Sequence, residues 1–379
     1  MKSTFDAVVI GAGAFGAWTA LWLRSSGRSV ALLDAYGAGN SRSSSGGESR
    51  ILRMGYGDDQ VYTEWAVRSL GLWTALFDQV ERPELFQNTG VLWTPPPGHP
   101  RAVSMRAAFE KCGVAYRQLT ASELERSYPQ LRFLDERIGL YEIDAGVLLA
   151  RRAVQAVVEE AVRNGVEYAL DSALPSGDSQ AKTGSGNLLS AGLFVYCCGP
   201  WLPKIFPEVL DGRIRVTRQE IFFFGTPAGD RSFAPPSMPA WTDITDQHGA
   251  YTIPDLENRG FKLAFDRHGP EFDPDSGDRL ARGLPDARAF LAERFPALAA
   301  APLLESRVCQ YENTSSGDFL IDRHPDFANV WLVGGGSGHG FKHGPAVAEH
   351  ACALIDGREP AQSRFSLQSK ARTHQRSVF

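Results

Sequence analysis

Apolar and polar positions divide the start of the chain into a strand, a helix and a second strand. The run "AVVI" is continuously apolar and ends on a glycine. "FGAWTALWLRSSG" repeats apolar residues at helical spacing, and "SVALLDA" is again apolar and rich in branched side chains. The pattern predicts strand, helix and strand within 5–37. A second unit of this kind closes the chain. In "NVWLVGGGSGHGFKHGPAVAEHACALIDG" a buried strand runs into glycines and then into a helix.

The same periodicities place further elements. Helices are expected over roughly 60–80, 101–112, 121–127 and 283–294. Val154, Val157, Val158, Ala161 and Val162 form another helical apolar face, ended by Gly165. "ELFQNTGVLWTPP" reads as strand, turn, strand, and "LFVYCCGPWLPKIF" as a buried strand reaching Gly199-Pro200. Positions 175–187 read as a polar surface hairpin. A new sheet pattern opens near 214 with "IRVTRQEIFFFG" and continues in "AYTIPD" and "FKLAFD". In this last run Phe261, Leu263 and Phe265 alternate with Lys262, Ala264 and Asp266, so lysine and aspartate share one face. Positions 38–50 are small and polar, a long loop that must lie against something. The segment "LQSKARTHQRSVF" has little apolar content and is expected to be loose.

Gly11, Gly13 and Gly16 complete GxGxxG between the first strand and its helix, with Ala14 and Phe15 inside the motif. Gly11 permits a tight turn, Gly13 lets backbone approach a pyrophosphate, and Gly16 lets helix and strand pack closely. The helix N-terminus then offers unpaired N–H groups to phosphate. Asp34 ends the second strand, where a carboxylate accepts from adenosine ribose hydroxyls. The motif predicts dinucleotide binding and does not separate FAD from NAD. If both glycine turns lie at the carboxyl ends of one parallel sheet, the fold is α/β with a discontinuous Rossmann-like domain. The reading assigns 1–82, 140–213 and 301–365 to that domain. It assigns 83–139 and 214–300 to a second domain with a mixed or antiparallel sheet, and 366–379 to the loose tail.

At 379 residues the chain has room for two or three domains of about 150 residues each. The hydrophobic fraction of 43% and charged fraction of 22% are ordinary for a globular protein. A formal net charge of −5 without a lysine-rich block argues against a nucleic-acid partner. The five cysteines form no CxxC pair and are odd in number, which suits a reducing compartment. Histidines and cysteines lack ligand spacing, so no metal is expected. No apolar run approaches the length of a spanning helix, and the N-terminus lacks a leader's apolar core. Cytoplasmic location and no membrane partner are the expectation.

Four motifs carry a family resemblance: "VVIGAGAFG" at 8–16, "SSSGGESRILRMGYG" at 43–57, "VCQYENTSSGDFLIDRHP" at 308–325 and "VGGGSGHGFKHGP" at 333–345. Through them the chain resembles the sarcosine oxidase branch of the flavin-dependent amine and amino acid oxidases, over nearly its whole length. The resemblance implies an FAD-binding domain with a separate substrate domain. Cys309 would be bonded through sulfur to the flavin. Arg50 and Arg53 would lie near the flavin and the substrate carboxylate, and Lys342 would pair with that carboxylate. Lys262 would help dioxygen accept electrons. Ser44, Ser45 and Ser49 would approach the cofactor, as would Gly336, Gly338, His339, Gly340 and Phe341. Tyr251 and Asp266 would face the substrate.

Two departures point away from sarcosine itself. The sarcosine enzyme has "SHHGDTR" where this chain has "SSSGGESR", and a histidine where Asp266 aligns. Fructosyl amino acid oxidases place a carboxylate as this chain does. The partners implied are a small carboxylate-bearing amine and dioxygen, with the chain a monomer or weak homo-oligomer. The reaction implied is oxidation of a C–N bond to an imine that hydrolyses, with hydrogen peroxide formed. Alternatives are a fructosyl amino acid oxidase, a dehydrogenase serving another electron acceptor, and a nucleotide-binding protein without turnover. Taken singly, the same residues have plainer readings: Cys309 as a small buried hydrophobe, Lys262 and Asp266 as a solvated pair, and Arg50 or Arg53 paired with Glu48.

Overall fold

A computed structural model describes residues 2–177, 179–243 and 249–373. The opening strand, Thr4–Ile10, is central in its sheet. It pairs in parallel with Val30–Asp34 on one side and Leu188–Tyr196 on the other. Glu167–Leu170 extends the parallel array beyond Val30–Asp34, and Val330–Gly334 extends it beyond Leu188–Tyr196. Leu320–Arg323 closes that edge in antiparallel fashion. Near-continuous apolar runs suit strands that are covered on both faces. One face is covered by helices Ala14–Ser25, Ala150–Arg163 and Gly344–Ile355. The other is covered by Leu202, Phe206, Val209 and Leu210, from two short helical turns. Both glycine turns lie at the carboxyl ends of this sheet, with Cys197 and Gly199 at the end of the strand between them.

The second sheet runs Leu303–Thr314, Ile214–Phe224, Phe261–Phe265, Ala250–Ile253, Ala240–Thr242, Val91–Trp93, Gly139–Glu142, Tyr116–Leu119. It is antiparallel except where Ala240–Thr242 meets Val91–Trp93 in parallel. Helix Leu284–Arg294 packs an aromatic cluster of Phe290, Trp241, Phe261 and Phe295 against it. A three-stranded sheet of Arg50–Leu52, Gly146–Leu148 and Phe86–Gln87 links the two. The architecture is α/β, with a discontinuous nucleotide-binding sheet and a separate mixed sheet.

Several pairings differ from the sequence reading. Leu303–Thr314 belongs to the second sheet, although 301–365 was grouped with the first; its long partner Ile214–Phe224 draws it there. Gly139–Glu142 likewise pairs in the second sheet. Phe86–Gln87 and Val91–Trp93 part company into different sheets. Val162, assigned to an apolar face, is exposed, because the buried stripe of its helix runs through Val154, Val157, Val158 and Ala161. Residues 366–373, read as part of a loose tail, include a buried Lys370, and Arg213 donates to Leu367 O at 3.2 Å. Residues 374–379 of that segment lie outside the described residues. Among the described residues no helix is long and apolar enough to cross a membrane, and no cluster of three or more His, Cys, Asp or Glu could hold a metal ion.

Candidate active site

At the end of Thr4–Ile10 the chain turns at Gly11, whose φ is +101°. A side chain at Gly16 would put its Cβ 1.8 Å from the Gly11 carbonyl oxygen, so the helix lies directly on the turn. Gly13 caps helix Ala14–Ser25 without a side-chain bond. Ser45 Oγ, from the loop 38–50, accepts from Ala14 N at 3.1 Å. Asp34 accepts from Ala12 N at 2.7 Å and Tyr36 N at 2.8 Å, and burial raises its carboxyl above the ordinary value. Gly11, Gly13, Asp34, Tyr36 and Ser45 line a cavity of about 380 Å³. Ala14, Phe15, Ser44, Gly336, Gly338, Gly340 and Phe341 line it further.

The second glycine turn supplies the far wall. Gly338 has φ +80°, and a Cβ there would lie 2.6 Å from the Tyr311 ring. Gly340 N donates to Gly336 O at 2.8 Å, which tightens the loop ahead of helix Gly344–Ile355. His339 Nε2 is 3.0 Å from Gly317 O, and its Nδ1 is 3.2 Å from Tyr56 OH. Tyr56 OH also lies 2.7 Å from His343 Nε2. One arrangement satisfies all three contacts: His339 donates from Nε2, Tyr56 donates to its Nδ1, and His343 donates from Nε2 to Tyr56. His339 thus braces the loop, and Lys342 Nζ donates to His339 O at 3.0 Å.

A second cavity, of about 100 Å³, opens beside the first and shares Arg50, Tyr311, Gly338 and Phe341 with it. Arg53, Lys342, Trp93, Tyr251, Asp266 and Cys309 also line it. Arg53 lies between the Tyr56 and Trp93 rings, at 4.6 Å and 5.0 Å, and donates to Gly55 O. Burial and the neighbouring Arg53 hold the Lys342 amine well below its ordinary pKa. Arg50 donates to Ser44 O at 2.6 Å and to Ser49 O at 2.8 Å, and reaches Cys309 Sγ at 3.5 Å. Tyr311 OH donates to Asp266 Oδ1 at 3.0 Å. Burial pushes the Tyr251 phenol up to about 12.

Lys262 stands apart from these walls. It is 1% exposed, which excludes a solvated pair with Asp266. Its Nζ donates to Ser49 O at 2.9 Å, lies 5.7 Å from the Tyr251 ring, and lines a smaller space with Ser49 and Glu48. Burial, and then Arg50, hold its amine well below the ordinary pKa. Glu48 pairs with Arg151 at 2.8 Å and Arg307 at 3.1 Å, rather than with Arg50 or Arg53.

Two carboxylates of the site escaped sequence reasoning. Glu142, fully buried, accepts from Met54 N, Gly55 N and Trp93 Nε1 at 2.6, 3.1 and 2.6 Å. It fixes the segment that carries Arg53. Glu312 lines the first cavity, and its Oε1 accepts from Gly336 N at 3.2 Å. Strand alternation in "VCQYEN" separates Cys309 and Tyr311 from Gln310 and Glu312, which was the available signal.

The residues present fit an extended dinucleotide. Side chains at Gly11, Gly13 and Gly16 would fill the turn, and a helix start that receives no side-chain bond from its capping Gly13 suits a pyrophosphate. The wall shared by the two cavities leaves room for an aromatic ring beside a pocket lined by Arg50, Arg53 and Lys342 and by Glu220, Asp243 and Asp266.

The family of FAD dependent oxidoreductases matches residues 6–354. The chain is similar to monomeric sarcosine oxidase of Streptomyces avermitilis, 30% identical over 360 residues, covering 92% of this chain and 93% of that protein. It is similar to monomeric sarcosine oxidase of Bacillus sp. strain B-0618, 30% identical over 385 residues, covering 98% and 97%. Among solved structures, L-proline dehydrogenase from P. horikoshii shares the fold, with a TM-score of 0.82 at 19% identity, over 97% of this chain and 98% of that one.

Proposed function

Since the chain belongs to the family of FAD dependent oxidoreductases, as an enzyme that acts on an amine or amino acid, we propose a specific reaction for it. It oxidises the C–N bond of a carboxylate-bearing, N-substituted amino acid to an imine, with dioxygen reduced to hydrogen peroxide. The observation that carries this reading is the shared wall: Arg50, Tyr311, Gly338 and Phe341 line both cavities. A redox ring seated against that wall would face a pocket holding Arg53 and Lys342.

Gly11, Gly13, Ala14, Asp34, Ser45, Gly336, Gly338 and Gly340 would hold FAD, with Ser44, Phe15 and Phe341 alongside. When bound, FAD supplies the two-electron acceptor. The chain's own residues do the rest. Arg53 presents a planar fork to the substrate carboxylate, and Lys342 adds a second charge. Their charge also disfavours an ammonium nearby, so the substrate nitrogen binds uncharged. Trp93, Tyr251 and Phe265 exclude water. Arg50 reaches Cys309 Sγ, and Cys309 is the proposed point of covalent flavin attachment. The imine then hydrolyses to a carbonyl compound and an amine.

The test is a panel of N-methyl, cyclic and primary amino acids added to the holoenzyme under nitrogen. Flavin bleaching is expected with N-substituted amino acids and not with their methyl esters. Esters that bleach the flavin as fast as acids would overturn the carboxylate assignment. Acid precipitation should leave flavin in the wild-type pellet and release it from Cys309→Ala; flavin free in both supernatants refutes the attachment. A fructosyl amino acid is the second reading. It is favoured by Asp266, which lines the pocket and accepts from Tyr311, and so could hold sugar hydroxyls. Peroxide formed in step with substrate consumed separates an oxidase from a dehydrogenase serving another acceptor.

A further inference from the structure

Glu312 is enclosed on the cofactor side of strand Leu303–Thr314, with only one of its oxygens engaged. Oε1 accepts from Gly336 N at 3.2 Å, and the neighbouring Gly335 N–H also bears on the carboxyl, while Oε2 is buried with no donor in hydrogen-bonding geometry. Three glycines stand around the carboxyl group. A Cβ on Gly199 or Gly334 would lie 3.6 Å or 3.4 Å from Oε2, and one on Gly336 would lie 3.2 Å from Oε1. The carboxyl is therefore held against bare backbone, between the second glycine turn and Gly199, and lines the first cavity. A buried carboxyl oxygen without a donor costs free energy that any donor in that cavity would recover.

We propose that Glu312 is a cofactor-binding residue whose Oε2 accepts a hydrogen bond from a hydroxyl of the ribityl chain of FAD. The choice of the ribityl chain follows from charge. The pyrophosphate belongs at the helix start beyond Gly13, which offers it no competing side chain, and an anion does not draw a carboxylate. The adenosine ribose already has an acidic partner in Asp34. Ribityl hydroxyls join the pyrophosphate to the ring, and they donate. Burial pushes the Glu312 carboxyl up to about 7, so a donor at Oε2 would also favour its ionised form.

The experiment measures FAD affinity of apoprotein by quenching of flavin fluorescence, in a Cys309→Ala background that prevents attachment. FAD is compared with analogues that lack single ribityl hydroxyls. Glu312→Ala should weaken FAD binding by about tenfold to a hundredfold. One deoxy analogue should lose comparable affinity for the Glu312 protein and nothing further for Glu312→Ala. Unchanged affinity for FAD in Glu312→Ala would overturn the proposal. So would losses that add at every hydroxyl, since Glu312 would then act only by holding Gly336. Should Glu312→Ala fail to fold, the same cycle is run with Glu312→Gln, whose amide oxygen keeps the bond from Gly336 N. Coupling to one hydroxyl there supports the assignment, and additive losses at every hydroxyl refute it.

Discussion

At Lys342, burial and charge pull in opposite directions. The side chain is 4% exposed, and burial with Arg53 nearby favours its neutral form. Asp266 and Glu142 favour the charged form more weakly. A carboxylate entering the pocket supplies the missing counter-charge, so binding and protonation of Lys342 are linked. Since the free pocket holds the amine below its ordinary pKa, a rise in pH removes the proton before the substrate arrives. Substrate dissociation constants measured under nitrogen, expressed for the free-amine form of the substrate at each pH, should therefore rise with pH through the free-enzyme pKa of Lys342, and Lys342→Met should flatten that dependence. Arg53→Met should weaken binding of the acid and move the profile to higher pH rather than flatten it, because Arg53 is one of the groups that hold the Lys342 amine down. Loss of either charged hydrogen bond is worth about 1.5–3 kcal/mol, or roughly tenfold to 150-fold in affinity. Equal binding of acid and ester in the wild type would remove the basis for both effects.

The strand–glycine–helix unit shows how two glycines of one motif differ in kind. At Gly16 an added Cβ would overlap backbone, 1.8 Å from Gly11 O, and neither the strand Thr4–Ile10 nor the helix Ala14–Ser25 can retreat from the other. At Gly13 the nearest atom is Ser45 Oγ at 3.2 Å, the end of a side chain that can turn. Gly16→Ala should destabilise the apoprotein by more than the roughly 1–3 kcal/mol of ordinary overpacking. Gly13→Ala should melt near the wild type yet retain much less FAD, because its methyl occupies the approach to the helix start. Thermal melts with FAD content per chain, both in a Cys309→Ala background so that covalent attachment cannot retain the flavin, check both; a Gly13→Ala protein that keeps full FAD there would refute the assignment of that helix start. This unit was legible in the sequence because its period changes from strand to helix at the glycines. Strand partners were not, since alternation gives a face and no address. Thus Leu303–Thr314 joined the second sheet, and Glu312 came to line the first cavity unforeseen. Glu142 was hidden by its charge, which ordinarily signals an exposed position. The site residues Arg53, Lys342, Tyr251, Asp266 and Cys309 do line one pocket, but the resemblance brought them forward, and spacing alone would not have.

Across the whole molecule the proposed chemistry falls at the seam between the two sheets, and Lys262 spans it. It rises from Phe261–Phe265 in the second sheet and bonds Ser49 O, in the loop that follows the first glycine motif. Arg50 bonds the same carbonyl, so two cations converge on one peptide. Amine oxidation has no need of a further cation there, and a positive charge would oppose an ammonium substrate. Oxygen reduction does need one. Passing the first electron to dioxygen creates an anion where none stood, and a fixed positive group lowers the energy of that charge. Burial and Arg50 make the Lys262 ammonium easy to discharge, while a forming anion holds its proton in place. Reoxidation should therefore slow as pH rises through the Lys262 pKa in the folded protein. Lys262→Met keeps length and much of the volume without the charge. Timed in a stopped-flow instrument under nitrogen, flavin reduction by substrate should stay within about an order of magnitude of wild type. Reoxidation by dioxygen should slow by roughly a hundredfold or more, if about 3 kcal/mol of stabilisation is lost, and its pH dependence should vanish. Reduction that collapses while reoxidation holds would place Lys262 in the service of the amine, and the division of labour between the two sheets would have to be redrawn.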